Sequence, residues 1–303
     1  MGYLHTPYTS SDYSYGFDVP FVQNMPDVSR TFALTEADRD RVLEFLDHRP
    51  VHTVAMASFI HDNGIESQLN RGTFYGYHDR FGDLEGVALI GHTTLVEARS
   101  TEALKALAFC AKRHSDDIRM IMSGEDLALD FWAQAIDGSA KPRLVCREYL
   151  FEIAFPFPVR RCELDIRLAR PEELEQIAEA QAELAFMESG VDPLVRDRKG
   201  FLERVMRRIE QGRIFVAMEN GKLIFKADVM SLTTDVAYLE GIYVASDRRG
   251  EGIGSSCLAE VGTRLMNSVR TVCLLSNAEG TNAHRSFMKA GFKHTGECTT
   301  VFV

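Results

Sequence analysis

Nowhere does the chain approach the roughly 18 uninterrupted apolar residues that a membrane span requires. The N-terminus also lacks the basic-then-apolar pattern of a secretory signal. Six cysteines are scattered (Cys110, Cys146, Cys162, Cys257, Cys273 and Cys298), with no two at the CxxC spacing of zinc sites or redox pairs. Each lies in a run that suits a strand or helix interior, where a free thiol behaves as a small hydrophobe. These absences predict a soluble cytoplasmic protein with no structural disulfide and no metal site. Positive charge is scarce as well. Against 44 acidic side chains stand 34 Lys and Arg, a net of −10, with 15 basic to 23 acidic in residues 1–160 and 19 to 21 in residues 161–303. Without a long basic tract the chain is a poor partner for nucleic acid or an anionic membrane, because phosphate contact takes clustered Lys and Arg. Met1-Gly2-Tyr3-Leu4-His5-Thr6 formally matches a myristoylation pattern. The pattern is permissive and Tyr3 is bulky beside the acceptor glycine, so chance accounts for it.

What is present is globular: 45% hydrophobic and 26% charged residues over 303 positions, a length that suits about two domains. Residues 1–30 mix Tyr3, Tyr8, Tyr13, Tyr15, Phe17 and Phe21 with Ser, Pro and Asp without periodicity, as a tail or an arm would. Thr35 and Asp38 form a capping-box pattern opening a helix, Pro50 ends it, and a second helix follows over 51–61. Strands are expected at 73–78, 84–90, 93–96, 118–122 and 144–153, and helices at 101–112 and 127–135. The only proline-punctuated break in mid-chain, Phe155-Pro156-Phe157-Pro158, places a linker at 155–162 between domains at 31–154 and 163–303. The second half then repeats the order. A strand at 164–168 precedes helices at 171–187 and 201–210, and strands 214–219 and 222–230 flank the hairpin turn Asn220-Gly221. A strand at 236–244, a helix at 251–266, a strand at 272–276, a helix at 282–290 and closing β at 295–303 complete it. One element order used twice argues for an internal structural repeat, although the halves show no residue-level identity.

Chemistry concentrates in Val244-Ala245-Ser246-Asp247-Arg248-Arg249-Gly250-Glu251-Gly252-Ile253-Gly254, which runs from a strand into an amphipathic helix. Glycines at alternate positions remove side chains where the chain turns, so successive amides can face one point. The helix start adds unpaired N–H groups and the positive end of its dipole, and two arginines stand alongside. Such a loop suits a pyrophosphate. It is not a dinucleotide fingerprint: Ser255 stands where the third glycine of Gly-x-Gly-x-x-Gly belongs, and the strands before it form an antiparallel meander. It is not a Walker loop either, since Gly-Lys-Ser/Thr is absent. A ligand-free glycine turn is the bland alternative.

Arg249-x-x-Gly252-x-Gly254, after a strand and opening a helix, resembles the acetyl-CoA signature of the GNAT N-acyltransferase superfamily. Asn282-Ala283-His284-Arg285-Ser286-Phe287-Met288-Lys289-Ala290-Gly291-Phe292 resembles the closing helix of that family with its Gly-Phe step. The resemblance spans residues 163–303 and implies an α/β (α+β) fold. With the repeat it implies two GNAT-like domains, each a mixed, mostly antiparallel sheet flanked by helices. It further implies acetyl-CoA as acyl donor and a primary amine as acceptor. The backbone of Ile242, Tyr243 and Val244 would line the pantetheine arm, and the amides of Arg249, Gly250, Glu251, Gly252, Ile253 and Gly254 the pyrophosphate. Asn277, Asn282 and Phe287 would lie on the other side of the cofactor, a turn or helix cap being the competing role for each asparagine.

Acyl transfer to an amine needs a base for the ammonium, donors for the oxyanion and an acid for the departing thiolate. Glu240 occupies the strand where many GNAT enzymes carry the carboxylate base; burial in a cleft would raise its pKa toward that use. A solvent-facing strand carboxylate is the competing role. Phe287 stands where the family usually has a tyrosine acid, and it has no proton to donate. Tyr243 and Tyr238 are nearby substitutes, with core packing as the alternative; His284 reads as a surface residue. If the first half repeats the fold, its corresponding loop is Val96-Glu97-Ala98-Arg99-Ser100-Thr101-Glu102, without glycine and with acids about its arginine. Carboxylates there would repel a pyrophosphate. The chain thus looks similar to tandem GNAT proteins with a degenerate N-terminal copy, which would wall the acceptor site, pair subunits into a homodimer or stabilise its neighbour. A non-catalytic acyl-CoA sensor is the alternative function, and a ligand-free interaction protein a third. Acceptor choice falls to the segment 185–199, and the acidic balance mildly favours a cationic acceptor.

Overall fold

The computed structural model describes residues 27–113, 118–136, 141–155 and 162–303. The aromatic-rich segment up to residue 26 and most of the expected linker, 156–161, lie outside the described residues. The first half runs β1 (Thr31–Ala33), α1 (Arg39–Leu46), α2 (Pro50–Asn63), β2 (Gly72–His78), β3 (Leu84–Gly91) and β4 (Thr93–Ala98). It continues with α3 (Thr101–Ala111), β5 (Met120–Gly124), α4 (Leu127–Ala135) and β6 (Leu144–Ile153). The second half runs β7 (Arg167–Leu168), α5 (Leu174–Ser189), α6 (Pro193–Glu210), β8 (Ile214–Glu219), β9 (Lys222–Leu232) and β10 (Val236–Val244). It ends with α7 (Ile253–Leu265), β11 (Thr271–Asn277), α8 (Thr281–Lys289) and β12 (Lys293–Phe302). The two orders are the same.

Local signals account for many element boundaries. The backbone N–H of Thr35 donates to Asp38 Oδ2 at 2.9 Å, the capping box that precedes α1. Asn220 and Gly221 take φ of 50° and 77°, the left-handed pair that a two-residue hairpin demands. Several boundaries differ from expectation, and the strand expected at 164–168 covers only Arg167–Leu168. The edge strand β1 is only three residues long, too short for a period-2 signal. Helix α6 starts at Pro193 rather than near Phe201: Asp192 caps it, accepting from Leu194 N at 2.8 Å, and a non-helical Asp197 then interrupts the pattern.

Among the described residues twelve strands form one sheet, ordered β1-β2-β3-β4-β5-β12-β6-β11-β10-β9-β8-β7. Of its pairings β4–β5 and β10–β11 are parallel and the others described are antiparallel. The halves exchange their last strands: β12 pairs with β5 of the first half, and β6 pairs with β11 of the second. β6 and β12 then pair with each other at the centre. Each lobe of the sheet is covered on both faces. In the second, Cys257, Leu258 and Val261 of α7 pack on Phe225, Leu239 and Leu274, while Ile177 of α5 and Val205 of α6 pack on Ile214 and Val216. Burying a side chain such as Phe225 contributes about 1.5–3 kcal/mol. Helix α2 reaches across to β9 and β10: Leu232 N donates to Ser58 Oγ at 3.0 Å, and Arg213 grips Asp62 through two 2.7 Å bonds. No described helix is long and apolar enough to cross a membrane.

Candidate functional site

Strands β10 and β11 pair in parallel only from Val236 opposite Thr271 to Leu239 opposite Leu274. Beyond that they part, because β11 keeps its register with β6 as far as Asn277 opposite Glu148, while β10 bends with β9. The bend is a β-bulge. Glu240 lies opposite Asp228 and Tyr243 opposite Lys226, so three steps along β10 match two along β9. Gly241 takes φ of 60° in the bulge, and a side chain there would stand 2.5 Å from Gln181 Oε1 and 2.7 Å from Lys226 Nζ.

Lys226 holds the bulge. Its fully buried Nζ donates to Gln181 Oε1 at 2.6 Å and to the Gly241 carbonyl at 2.9 Å, and pairs with buried Asp228 at 2.8 Å. Burial pushes its pKa down, and the carboxylate beside it opposes that. Lys226, Asp228, Gln181 and Gly241 all escaped the sequence reading. The available signal was a Lys and an Asp on one face of an otherwise apolar strand, Leu223-Ile224-Phe225-Lys226-Ala227-Asp228-Val229. The bulge also reorients side chains: Glu240 and Tyr243, an odd number of residues apart, both fall on the α5/α6 side.

Beyond β10 the glycine loop takes the conformation its sequence requires. Gly250 and Gly252 have φ of 89° and 85° with open space where a side chain would be. Gly252 precedes α7 and no side chain caps that helix, so the first-turn amides, next to the parted strands in sequence, have no side-chain acceptor. At Gly254 a β-carbon would approach Val244 and Ser286 to 3.3 Å, so glycine lets the helix close on the strand. Both arginines are engaged. Arg248 pairs with Glu219 and with Glu251, the latter at 3.0 Å. Arg249 Nε donates to the Val244 carbonyl at 3.0 Å while its guanidinium stands 3.4 Å from Glu183 and over the Tyr243 ring.

The strand exchange brings Glu148 of β6 toward Glu240, with Glu188 of α5 close to both. Glu240, ringed by protein but still touched by solvent, has its pKa raised first by burial and further by Asp228, against the pull of Arg208 and Lys226. Glu148 is raised by burial and by Glu240, against a 2.6 Å bond from Thr300. Although its own surface is open, Glu188 is pushed up to about 7, first by the protein around it and then by Glu240 and Glu148. Neither Glu148 nor Glu188 was anticipated, because their nearness to Glu240 depends on tertiary pairing.

Other expected residues are placed as follows. Asn277 makes a turn, accepting from Glu279 N at 2.9 Å, and Asn282 is exposed on the first turn of α8. Phe287 is buried edge-on against Phe151, with ring centroids 5.6 Å apart. His284 corrects the surface expectation. It is 8% exposed and its Nε2 donates to the Asn277 carbonyl at 3.0 Å, because a carbonyl can only accept. Tyr238 lies on β10 beside a cavity of about 40 Å³ under α2, and burial followed by Glu240 and Glu148 raises its pKa well above the ordinary value.

The corresponding region of the first half is closed. β4 and β5 pair from Thr93 to Leu95, after which Ser123 Oγ donates across the gap to the Val96 carbonyl at 2.7 Å. Only Arg99 and Ser100 link β4 to α3, and Ser100 caps that helix from within, accepting from Ala103 N at 3.3 Å. Buried Glu97 is paired with Arg49 at 3.2 Å.

Residues 210–294 match the family model described as an acetyltransferase (GNAT) domain, a span that contains the parted strands, the bulge and the glycine loop. The chain carries a GNAT acetyltransferase domain. Solved structures share the wider architecture. A Drosophila protein aligns with a TM-score of 0.64 at 12% identity, over 90% of this chain and 98% of its own. A tandem GNAT protein from the clavulanic acid biosynthesis pathway gives 0.55 at 13% identity, over 90% and 97%. A GCN5-related N-acetyltransferase from Sphaerobacter thermophilus gives 0.54 at 16% identity, over 91% and 96%. At these identities the likeness is one of fold, a mixed sheet, mostly antiparallel, flanked by helices. No curated protein matches the chain. Among the described residues no cluster of His, Cys, Asp and Glu suits a metal ion.

Proposed function

We propose that this GNAT domain transfers an acetyl group from acetyl-CoA to a primary amine of a cationic small molecule, in the cytoplasm, with one cofactor site per chain. The carrying observation is the junction of parted strands, Lys226-locked bulge and uncapped glycine loop, present in the second half and closed in the first. The residues fit the cofactor: positive-φ glycines with free space above them and uncapped amides suit a pyrophosphate at Gly250–Gly254. The unpaired edge Ile242–Val244 suits the pantetheine amides. Acetyl-CoA, when bound, supplies the acetyl group as a thioester.

The chain's own residues handle the amine. Glu240 accepts the proton of the acceptor's ammonium, its raised pKa making it a stronger base than an ordinary carboxylate. Glu148 and Glu188 add negative charge that draws a cation in and favours an acceptor with a second ammonium group. Tyr243, on the same side as Glu240, is the candidate acid. Tyr238 is the second candidate, kept protonated by its surroundings.

One observation favours the rival reading of an acyl-CoA sensor: Phe287 is locked in the core where the family usually has its acid. Thiol release from acetyl-CoA over a panel of mono- and diamines separates the two. Turnover with diamines, lost in Glu240→Gln, is the expected result; binding of CoA with no product from any amine would establish the sensor.

A further inference from the structure

A second charged cluster lies in the first half, away from the acetyl-transfer cleft and independent of its function. Three basic residues are stitched side by side at one end of the sheet. The Arg71 carbonyl, just before β2, accepts from His92 N at 3.1 Å, and the His92 carbonyl, between β3 and β4, accepts from Arg119 N at 3.0 Å, just before β5. Together with Gln68 and Thr73 they line an open groove of about 490 Å³. The frame beneath is tight. A side chain at Gly72 would come within 2.6 Å of the Ile90 carbonyl, and one at Gly91 would collide with the Arg71 carbonyl. Arg71 itself takes a left-handed φ of 54°, a conformation that few non-glycine residues adopt without cause.

The second half contains the same turn and serves as a control. There Asp235 occupies the place of His92, its carbonyl accepting from Arg270 N at 2.9 Å, and its carboxylate pairs with Arg270 at 3.0 Å. The fold therefore accommodates a turn that neutralises its own arginine. In the first half that acid is replaced by a histidine, and Arg71 and Arg119 have no acidic ion-pair partner among the described residues. Arg196 and Arg204 of α6 add to the excess: both depress Arg71, and together with Arg71 and Arg119 they depress His92, burial being the first cause in each case. The carboxylate that opposes them at Arg71, Asp197, is already engaged by Gly200 N at 2.9 Å and Arg204 at 3.4 Å. Among the described residues five basic groups thus gather against one committed acid, in a chain of net charge −10, and repel one another. A bound anion supplies the missing counter-charge, and arginine is the side chain that grips phosphate oxygens two at a time.

We propose that this groove binds a small-molecule polyanion with adjacent phosphate groups, gripped by Arg71 and Arg119 with His92 between them. The test is a calorimetric titration of inorganic pyrophosphate into the full chain without CoA, whose own diphosphate would compete for the groove. Saturable one-to-one binding is expected, weakened about 10-fold or more by Arg119→Gln. Arg71→Asn, which tolerates the left-handed backbone, should weaken it similarly, while Gly252→Asp leaves it unchanged. Unchanged circular dichroism and melting temperature in the exposed Arg119→Gln variant separate lost binding from lost fold. Absence of saturable binding would overturn the proposal. So would affinity indifferent to both arginine variants, loss in Gly252→Asp alone, or equally tight binding of citrate. The arginine arms read out whether or not CoA binds, so this assignment and the acetyltransferase reading can fail separately.

Discussion

The two lobes of the sheet build the same divergence of parallel strands and treat it in opposite ways. In the first, a serine hydroxyl bridges Ser123 to Val96, a two-residue link runs into α3, and Ser100 satisfies the helix start from its own side chain. In the second, eight residues separate β10 from α7, glycine replaces the capping residue, and a buried lysine holds a bulge open beside the gap. The divergence is thus a property of the topology, whereas in the function proposed above its availability to a ligand falls to a handful of loop and cap residues. The exchange of β6 and β12 adds a second lesson, since the closed lobe still contributes Glu148 to the open one.

Matched substitutions sharpen this contrast. Glu240→Gln should lower kcat/KM for an amine by about 10²–10⁴-fold, the usual contribution of a general base. Glu97→Gln in the first lobe should leave kcat/KM unchanged, and equal losses in steady-state assays would erase the distinction between lobes. Lys226→Met strands Asp228 in the core and should cost about 3–5 kcal/mol in denaturant unfolding. A near-neutral result would mean that the bulge is not held by charge. Glu188→Gln removes a like charge beside Glu240, so the base gives up its proton more readily. The rising limb of the pH–rate profile, which in the parent reflects a base carboxylate held above its ordinary range by burial, should move to lower pH. A limb that stays in place would show the two carboxylates to be uncoupled. The smallest effect is Ser100→Ala, which should cost about 1 kcal/mol as a lost helix cap without altering CoA affinity.

What could be read along the chain was local. The loop at Gly250–Gly254, the Asn220-Gly221 hairpin and the capping box at Thr35 each depend on φ values or hydrogen bonds within a few residues, and the structure has them in place. The repeated element order was legible for the same reason. The strand exchange was not, because a strand alternates inward and outward residues identically whichever neighbour it pairs with. With the exchange hidden, Glu148 looked like any strand carboxylate, and its approach to Glu240 could not be foreseen. Lys226 and Asp228 were concealed differently: a buried ion pair becomes meaningful only once Gly241 and Gln181 are seen to surround it. His284 was misjudged because its partner is a backbone carbonyl at the end of β11, which leaves no mark in the sequence.

The account depends most on there being one cofactor site per chain, at the uncapped start of α7. Calorimetric titration of CoA into the parent, Gly252→Asp and Ser100→Ala chains tests this directly. One site insensitive to Arg119→Gln in the parent, lost in Gly252→Asp and unaltered in Ser100→Ala, is the predicted result. Two such sites per chain, or full affinity in Gly252→Asp, would contradict it.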